Sequence, residues 1–273
     1  MHRYILAVLF PLLTLGCVER TELRTVQPPP PITDEAARAL YYDILERGNT
    51  AVHSAVLGYE RGAGDLYEFR PAAVCQGPEC TEDFSLEDVQ LEILGTRRGI
   101  HLGHENIRLD DVRVWVYGGW MEDSFFAIQS NDYLDTENHG LTVVQGYAVG
   151  YSPGTSPDLG AEVTATWNGF MRGVDLGDWP DRGDVISGDA AVVVELDGTG
   201  MTADVLFTNV LSRLAIRRSD MTWENLAVEN GRFGYDAERG DILTGQFFGA
   251  GHGEVGGVFE RDRIVGVFGG MRE

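Results

Sequence analysis

The sequence predicts a mainly β protein: an eight-stranded antiparallel soluble β-barrel, preceded by a smaller N-terminal β-rich segment and one short N-terminal helix. Short apolar stretches separated by Gly, Asp and Asn recur from about residue 51 onward, which is typical of antiparallel barrels and sandwiches. Glycine accounts for 35 of the 273 residues, almost twice the usual share of about 7%. Because many of these glycines lie inside strands, where they allow sharp coiling, they favour a barrel.

The first 16 residues are predicted to be a signal peptide. Arg3 supplies a positive charge before an apolar run from Tyr4 to Leu15, and this run is shorter than the roughly 20 residues that a membrane-spanning helix needs. Thr14-Leu15-Gly16-Cys17 resembles the lipobox of bacterial lipoproteins. That resemblance implies that Cys17 is the first mature residue and carries a lipid. A plain signal peptide with a chance cysteine is the alternative, and both predict export.

The charge composition argues against two classes of partner. The net charge is -22, and all 21 basic residues are arginine. Such an acidic surface repels nucleic-acid phosphates and anionic lipid head groups, so we expect attachment to a membrane through an acyl chain. An acidic chain without lysine also fits a GC-rich genome or a saline habitat.

Residues 17–32 are predicted to form a lipidated tether. Pro28–Pro31 favours extended polyproline geometry and cannot continue a helix. Thr33 then follows as an N-cap residue, and Gly48 marks the end of the helix. Between them lies one apolar stripe at helical spacing, formed by Leu40, Tyr41, Ile44 and Leu45.

Cys75 and Cys80 flank a Gly-Pro turn. In an oxidising compartment, two cysteines at this spacing predict a small disulfide loop. A metal-binding pair is the alternative, although no second Cys/His pair with finger-like spacing accompanies it.

Two β-rich regions follow the helix. Residues 33–111 form the predicted N-terminal segment, with candidate strands Val52–Tyr59, Leu66–Phe69 and Val89–Leu94. Residues 112–273 form the predicted barrel. Its candidate strands are Val112–Tyr117, Ser124–Gln129, Leu141–Tyr151, Ala165–Gly173, Ala190–Leu196, Ala203–Val210, Met221–Val228, Ile242–Gly249, Val255–Glu260 and Ile264–Phe268.

The predicted barrel also contains turn signals and compensating aromatics. Asp197-Gly198 and Asn230-Gly231 are pairs that favour the positive φ of tight hairpins. Phenylalanines interspersed with the strand glycines can cover the backbone that a neighbouring glycine leaves bare. The short strands carry acids such as Glu195 and Asp204, so we expect a soluble barrel and not a membrane pore.

Several motifs together resemble the C-terminal domain of transferrin-binding-protein-B-like lipoproteins. The motifs at the end of the chain are Thr244–Gly249, His252–Phe259, Ile264–Gly269 and Arg272; upstream they are Tyr117–Trp120, Ala165–Gly169, Gly188–Ala190, Phe207–Asn209 and Trp223. The resemblance covers about residues 117 to 273. It implies an eight-stranded barrel on a lipid-anchored protein of the outer membrane, on its periplasmic or cell-surface face.

The same resemblance implies a function in binding. Members of the family capture proteins or small solutes outside the cell, including ligands related to iron and haem, so we expect an extracellular protein or a small-molecule ligand as the partner. The matched motifs are architectural, and no ligand residue is carried over from them. A structural envelope lipoprotein without a dedicated ligand is the alternative.

Two segments have the residue spacing of a catalytic or cofactor-binding motif but lack a feature that the motif's chemistry requires. Gly150-Tyr-Ser152-Pro-Gly154 has the spacing of a nucleophile elbow, but Pro153 has no N–H for an oxyanion hole. Gly251-His-Gly253-Glu-Val-Gly256 has the spacing of a dinucleotide-binding loop, but a strand pattern follows it where a helix is needed. We therefore predict a turn and a hairpin, no catalytic or cofactor-binding residue, and no enzyme activity.

Metal binding is the less favoured interpretation of three polar clusters. His101 and His104, with nearby Glu105, Asp110 and Asp111, are predicted to lie in a solvated loop because Gly103 separates them. The acidic groups that could bind calcium are Asp132, Asp135 and Glu137, and Asp175, Asp178, Asp181 and Asp184. Neither group has the spacing of a known calcium loop, so we predict solvated loop acids.

Trp179 is the one aromatic residue predicted to contact a ligand. It lies within Gly177-Asp-Trp179-Pro-Asp181, a segment with the composition of an exposed loop. Tryptophan at such a place can anchor a binding partner. Packing inside the barrel explains most of the tryptophans, and Trp179 is the exception.

Overall fold

A computed structural model of the chain describes residues 35–36, 39–40, 43–44, 52–61, 67–76, 92–109, 112–133, 142–176, 183–237 and 240–273. Residues 35, 36, 39, 40, 43 and 44 are helical, as the apolar stripe predicts, and Ile44 on that stripe is buried. The predicted signal peptide and tether, with Thr33 and Gly48, lie outside the described residues. No helix within the described ranges is long and apolar enough to span a membrane.

The first of two antiparallel sheets has seven strands. Its strands are β1 (Val52–Arg61), β2 (Tyr67–Gln76), β3 (Glu92–Arg97), β4 (Ile100–Leu109), β5 (Val112–Trp120), β6 (Ser124–Tyr133) and β7 (Thr142–Tyr151). The order across the sheet is β2-β1-β7-β6-β5-β4-β3. Strands β3 to β7 therefore form a meander. The last strand of this meander, β7, pairs with β1 from the beginning of the described sheet.

The second sheet coils into a nearly closed eight-stranded barrel, which confirms the predicted fold class. Its strands are β8 (Thr164–Asp175), β9 (Val185–Leu196), β10 (Met201–Ser212), β11 (Met221–Ala227), β12 (Arg232–Asp236), β13 (Asp241–Phe248), β14 (Glu254–Arg261) and β15 (Ile264–Arg272). The order is β11-β10-β9-β8-β15-β14-β13-β12. The first barrel strand thus pairs with the last, β8 with β15.

The barrel coils tightly because phenylalanines on one strand cover glycines on the next. The directly paired residues are Phe259 with Gly266, Phe268 with Gly257, and Phe233 with Gly245. A Cβ atom at any of these three glycines would overlap the ring of its partner. The aromatic faces therefore occupy the space beside bare backbone, as the alternation of Phe and Gly in the sequence predicts.

Aromatic rings fill the barrel interior. Phe207 is at the centre, with ring-centroid distances of 4.6 Å to Phe259 and 5.4 Å to both Phe268 and Trp223. Trp167 and Phe247, 4.8 Å apart, continue this packing along the barrel. These side chains are almost fully buried. A ligand must therefore bind to the outside of the barrel or to its loops.

Side chains link the edge strand β11 to β13 and β14, and a tight turn connects β11 to the other edge strand, β12. Arg261 lies over Trp223, with the guanidinium carbon 3.9 Å from the ring centroid, and forms a bidentate ion pair with Asp241 at 2.8 Å. The Trp223 indole N–H also donates to Asp241 at 2.8 Å. The β11–β12 turn has φ of 52° at Asn230 and 75° at Gly231, which confirms the tight hairpin predicted for this pair.

Sheet membership differs from the prediction for residues 112–151. Strands β5, β6 and β7, which we placed in the barrel, belong to the seven-stranded sheet, so the barrel sheet starts at Thr164 and not at residue 112. The reason is the long-range pairing of β1 with β7, which holds these strands in the first sheet. Strand β12 was not predicted, because five residues with a central glycine give only a weak pattern.

The other predicted hairpin also differs in detail. The chain turns at residues 197–200, but the positive φ falls on Gly200 and not on Asp197-Gly198. The Asp197 carboxylate accepts hydrogen bonds from the N–H groups of Thr199 and Gly200. This side-chain turn replaces the backbone conformation that the Asp-Gly pair predicts.

An apolar layer, here called the seam, joins the outer surface of the barrel to one face of the seven-stranded sheet. Its buried members are Ile100, Leu102, Met121, Phe126, Ile128, Val144, Ala148, Phe170, Val174, Leu176, Phe248, Val258, Val265 and Val267. Glycines allow the two sheets to approach closely. A Cβ atom on Gly269 would overlap Phe126, and one on Gly146 would lie 2.8 Å from Val267.

Glu254 fixes the seam at one end. Its carboxylate accepts hydrogen bonds from the backbone N–H groups of Glu122 at 2.8 Å and Asp123 at 3.0 Å, and from the Ser124 hydroxyl at 2.7 Å. The donors lie at the β5–β6 turn of the seven-stranded sheet, whereas Glu254 begins β14 of the barrel. One buried carboxylate therefore connects the two sheets.

Two buried carboxylates of β14 hold protons more tightly than usual. Burial raises the pKa of Glu254 from 4.5 to about 7, although its hydrogen bonds to Ser124 and Asp123 act in the opposite direction. Burial also raises the pKa of Glu260 to about 7, with a further contribution from the negative charge of Asp241. Protonation of either group therefore favours the folded state.

Replacing Gly266 by alanine tests the Phe–Gly packing. The new methyl group would overlap the Phe259 ring and lie 2.7 Å from the Arg172 carbonyl oxygen, so we expect a loss of about 1–3 kcal/mol in the free energy of unfolding. Urea denaturation measures it. Gly198→Ala is the matched control, because no atom lies within 4 Å of its Cβ position. Equal stability of the two variants would contradict this packing.

The raised carboxylate pKa values predict that stability falls with rising pH. The contribution of each group to the free energy of unfolding is fully present below about pH 4.5 and is lost as the pH rises through about 7. For Glu254 the shift corresponds to roughly 3 kcal/mol. In Glu254→Gln, the amide oxygen keeps the backbone N–H groups satisfied and the NH₂ donates to Ser124, so we expect roughly half of this pH dependence to disappear.

Urea denaturation at pH 5 and pH 8 measures the pH dependence. The control is Glu195→Gln, which removes an equal charge from an exposed position on β9 and should leave the difference between the two pH values unchanged. If the Glu254→Gln protein loses as much stability between pH 5 and pH 8 as the unaltered protein, the assignment to Glu254 is wrong.

Candidate functional site

A cleft opens where the apolar seam ends, between the seven-stranded sheet and the barrel. It has a volume of about 180 Å³. Trp115, Tyr117 and Ser130 contribute one wall, from β5 and β6. The barrel residues that line it are Val174, Gly183, Asp184, Val185 and Arg213. The cleft therefore lies at the barrel end where β8 ends, β9 begins and the β10–β11 loop starts.

The wall from the seven-stranded sheet carries a row of aromatic rings. Trp115 and Tyr117 are two residues apart on β5, so strand geometry puts their side chains on the same face. Their ring centroids are 6.4 Å apart and their planes differ by 8°. His104 on β4 pairs directly with Tyr117 and stacks on it at 6.0 Å. The row gives the cleft a rigid and partly apolar wall.

Arginines from three separate parts of the chain lie at the cleft or beside the seam residue Phe170. The guanidinium carbon of Arg213, which follows β10, lies 6.0 Å from the centroid of the Trp115 ring. Arg97 and Arg98, at the β3–β4 turn, lie 5.1 and 5.8 Å from the centroid of the Phe170 ring. The fourth, Arg172, is half-buried on β8 and donates a hydrogen bond to the Met171 carbonyl. Positive charge is thus concentrated here, in a chain whose net charge is -22.

The pKa shifts of Tyr117 and Arg172 show that the phenol and the guanidinium groups act on one another. Burial raises the pKa of the Tyr117 phenol, and the positive charges of Arg213 and Arg172 oppose that shift. Burial lowers the pKa of Arg172, and the neighbouring Arg97 lowers it further, while Tyr117 and Asp189 act in the opposite direction. Tyr117 therefore lies within electrostatic range of two guanidinium groups.

Nearby carboxylates compensate the arginine cluster only in part: Asp184 lines the cleft and Asp189 acts electrostatically on Arg172. Asp175 forms an ion pair with Arg218 at 2.7 Å, and Asp189 accepts a hydrogen bond from the Asn209 amide at 2.8 Å. Among the described residues, no carboxylate forms an ion pair with Arg97, Arg98, Arg172 or Arg213. The cleft is therefore a candidate site for a negatively charged group.

Next to the cleft, the β10–β11 loop (residues 213–220) presents apolar side chains to solvent. Leu214 is 73% exposed and Ile216 is 48% exposed, and Leu211 at the end of β10 is 37% exposed. The loop is held in one conformation by hydrogen bonds from Ser212 N–H to the Ile216 carbonyl and from Arg218 N–H to the Val210 carbonyl. These apolar groups are therefore presented by a fixed backbone.

Three of the four residues predicted to have a specific function lie outside the described residues. Cys17, the predicted lipidation site, Cys80 of the predicted disulfide, and Trp179, the predicted ligand contact, are all in this category. Cys75 lies in β2. Lipidation, the disulfide and the ligand contact therefore stay predictions.

The structure shows what the matched catalytic motifs do. The Ser152 hydroxyl accepts hydrogen bonds from the Gly154 N–H at 3.2 Å and from the Gln246 amide at 2.7 Å, so it fixes the chain after β7. Residues 249–253 form the hairpin loop between β13 and β14, as we predicted for the Gly251–Gly256 motif.

The predicted loop around His101 and His104 is instead the strand β4, and that prediction was wrong. Gly103 fits in the strand because it pairs with Gly118 on β5. The two histidines are three residues apart and so point to opposite faces. His101 contacts the Thr96 hydroxyl at 2.6 Å, and burial lowers its pKa.

The acidic clusters are described only in part. The prediction of solvated loop acids is wrong for Asp175, which ends strand β8 and is buried in its ion pair with Arg218. Asp184 lines the cleft and Asp132 lies in strand β6. The acids outside the described residues are Asp135, Glu137, Asp178 and Asp181. Across the described ranges, no group of three or more His, Cys, Asp or Glu side chains is placed to hold a metal ion.

Sequence reasoning missed the cleft because its parts are distant in the chain. Arg97, Arg172 and Arg213 belong to different strands or turns of both sheets, and only the docking of the sheets brings them together. One signal was present in the sequence: Trp115 and Tyr117 alternate on a strand near a histidine. That pattern alone does not distinguish a binding wall from core packing.

Comparison with known proteins gives structural similarities alone. No family model matches the sequence, and no curated protein matches it. A solved structure of a surface lipoprotein is similar over 81% of this chain and 98% of its own, with 12% identity and a TM-score of 0.44. The N-lobe of lactoferrin binding protein B of Moraxella bovis is similar over 81% of this chain and 99% of its own, with 10% identity and a TM-score of 0.35.

Transferrin binding protein B from serogroup B Neisseria meningitidis is similar over 80% of this chain, with 13% identity and a TM-score of 0.36. This chain covers 44% of that protein. The group of proteins that the C-terminal motifs resemble is thus found again among the structural matches, at identities and TM-scores too low to assign the chain to a family.

Proposed function

We propose that the chain is a lipid-anchored extracytoplasmic binding protein that captures an extracellular protein through the barrel end formed by the β10–β11 loop. The exposed apolar side chains of Leu211, Leu214 and Ile216 carry this proposal. The signal-like N-terminus and Cys17 support export and lipid anchoring, and the resemblance of the C-terminal motifs supports the outer membrane as the location.

The chemistry of the loop favours a protein partner. Exposed leucine and isoleucine side chains held by a fixed backbone lose little conformational freedom on binding. Arg213 and Arg217 flank them, so a complementary partner has an apolar patch with acidic residues around it. Partners related to iron or haem, which the resemblance implies, remain within this proposal.

The packing of the barrel supports a binding surface outside its interior. Phe207, Trp223 and Phe259 occupy the space that a ligand-binding lumen would need. The same packing makes the barrel a rigid support for its loops. We infer a binding function; the Ser152 hydroxyl of the matched motif has a structural role, since it accepts hydrogen bonds from the Gly154 N–H and the Gln246 amide.

A structural envelope lipoprotein without a dedicated ligand is the alternative. The extensive seam and the Glu254 connection between the sheets favour it, because they make one rigid body of two β-sheets. This alternative gives no reason for apolar side chains to be exposed on one loop beside an arginine-rich cleft. We therefore favour the binding protein.

Replacing Leu214 and Ile216 by serine tests the proposed surface. The chain from Val18 to Glu273 contains every described residue and can be immobilised to capture proteins from extracellular fractions of iron-limited and iron-replete cultures. Because apolar anchors at an interface contribute on the order of 1–2 kcal/mol each or more, we expect the double variant to weaken binding of the captured partner at least tenfold, as measured by surface plasmon resonance.

Val163→Ser is the matched control. Val163 is 67% exposed, comparable to Leu214, but it precedes β8 at the opposite end of the barrel. Its replacement should leave partner binding unchanged. Equal loss in the control and the double variant would show non-specific apolar adsorption, and failure to capture any partner in either condition would favour the structural alternative.

A further inference from the structure

We propose that the cleft between the two sheets is a binding site for a small organic anion, whose carboxylate or phosphate group is held by Arg213 next to Tyr117, with Arg172 as a second positive charge behind the cleft lining. This inference goes beyond the capture of a protein by the β10–β11 loop and does not depend on it. The evidence consists of the charge balance of the cleft, the hydrogen-bond donors available in it, and its size.

The charge balance favours an anion. Arg213 lines the cleft, and both it and Arg172 act electrostatically on the Tyr117 phenol in the opposite wall. Asp184 is the one carboxylate among the described lining residues. Arg172 lies on β8 two residues before the lining residue Val174 and donates a hydrogen bond to a backbone carbonyl. Asp189 acts on it electrostatically, and a bound anion would supply a second negative charge to this half-buried guanidinium group.

The geometry leaves donors that suit an oxyanion. Arg213 lies over the Trp115 ring at 6.0 Å, and a guanidinium group stacked on an aromatic ring can still direct its N–H groups outward in its own plane. The hydroxyl groups of Tyr117 and Ser130 belong to the same lining and can also donate. Charge-assisted hydrogen bonds of this kind recognise carboxylate and phosphate groups.

The size and the remaining lining define the class of ligand. A volume of about 180 Å³ accommodates a small molecule, since one water takes up about 30 Å³ in the liquid. Val174, Val185 and the Trp115 ring provide apolar contacts beside the charged groups. The site therefore suits an oxyanion attached to a compact apolar body, such as an aromatic acid, or a bare oxyanion.

Calorimetric titration of the chain from Val18 to Glu273 with sodium benzoate and with inorganic phosphate tests the site. We expect saturable binding of at least one probe. Tighter binding of benzoate would assign an organic acid, and tighter binding of phosphate would assign a phosphate-bearing ligand. Absence of saturable binding with both probes would overturn the proposal.

Arg213→Gln identifies where the probe binds. A hydrogen bond to a charged group contributes enough that its loss should weaken binding at least tenfold. Arg217→Gln is the matched control, because Arg217 belongs to the same loop, has a 69% exposed side chain and contacts Asp220. We expect the control to bind like the unaltered chain. Equal weakening in both variants would show general charge attraction and would overturn the site.

Two further variants test the contribution of Arg172 and the independence of anion binding from protein capture. Arg172→Gln should also weaken binding of the probe, and circular dichroism verifies that this variant folds. If it does not fold, Arg213→Gln still decides the question, because Arg213 is exposed and its replacement should not disturb the fold. The Leu214→Ser/Ile216→Ser chain should bind the anion normally. Loss of partner capture and loss of anion binding are therefore distinguishable.

Discussion

The close packing of phenylalanine against glycine across neighbouring strands is the constraint on which the rest of this structure depends. Phe259 against Gly266 and Phe268 against Gly257 allow the sheet to coil until β11 and β12 approach each other. The rings that cover the glycines also fill the interior around Phe207. A barrel stabilised in this way has no room for a ligand inside, so its outer surface and its loops must perform any recognition.

Glycines that face outward explain how the two sheets come together. Gly269 and Gly146 leave space for Phe126 and Val267, so that the seam packs closely near Glu254 and along the middle of β15. Along β8, Arg172 lies between the seam residues Phe170 and Val174, and Val174 also lines the cleft. The apolar contact and the cationic site are therefore two parts of one interface, and the first holds the walls of the second at a fixed distance.

Much of the barrel could be predicted from the sequence because its cause is local. Alternating Phe and Gly within β13, β14 and β15 specify coiling, and Asn230-Gly231 specifies a turn. Sheet membership could not be predicted in this way, since only the distant pairing of β1 with β7 assigns residues 112–151 to the first sheet. The arginines of the cleft escaped prediction for the same reason, because Arg97, Arg172 and Arg213 become neighbours only after both sheets have formed and docked.

The pairing of β8 with β15 also determines the order in which the molecule can fold. The seven strands described for the first sheet lie before residue 152, so this sheet can form before the remainder of the chain has been synthesised. The barrel cannot close at that stage, because β8 must wait for a partner whose residues begin at Ile264. Non-local pairings of this kind slow folding and leave strand edges exposed in the meantime. A chaperone that shields the open edge of β8 until β15 has been synthesised would therefore raise the yield of folded protein.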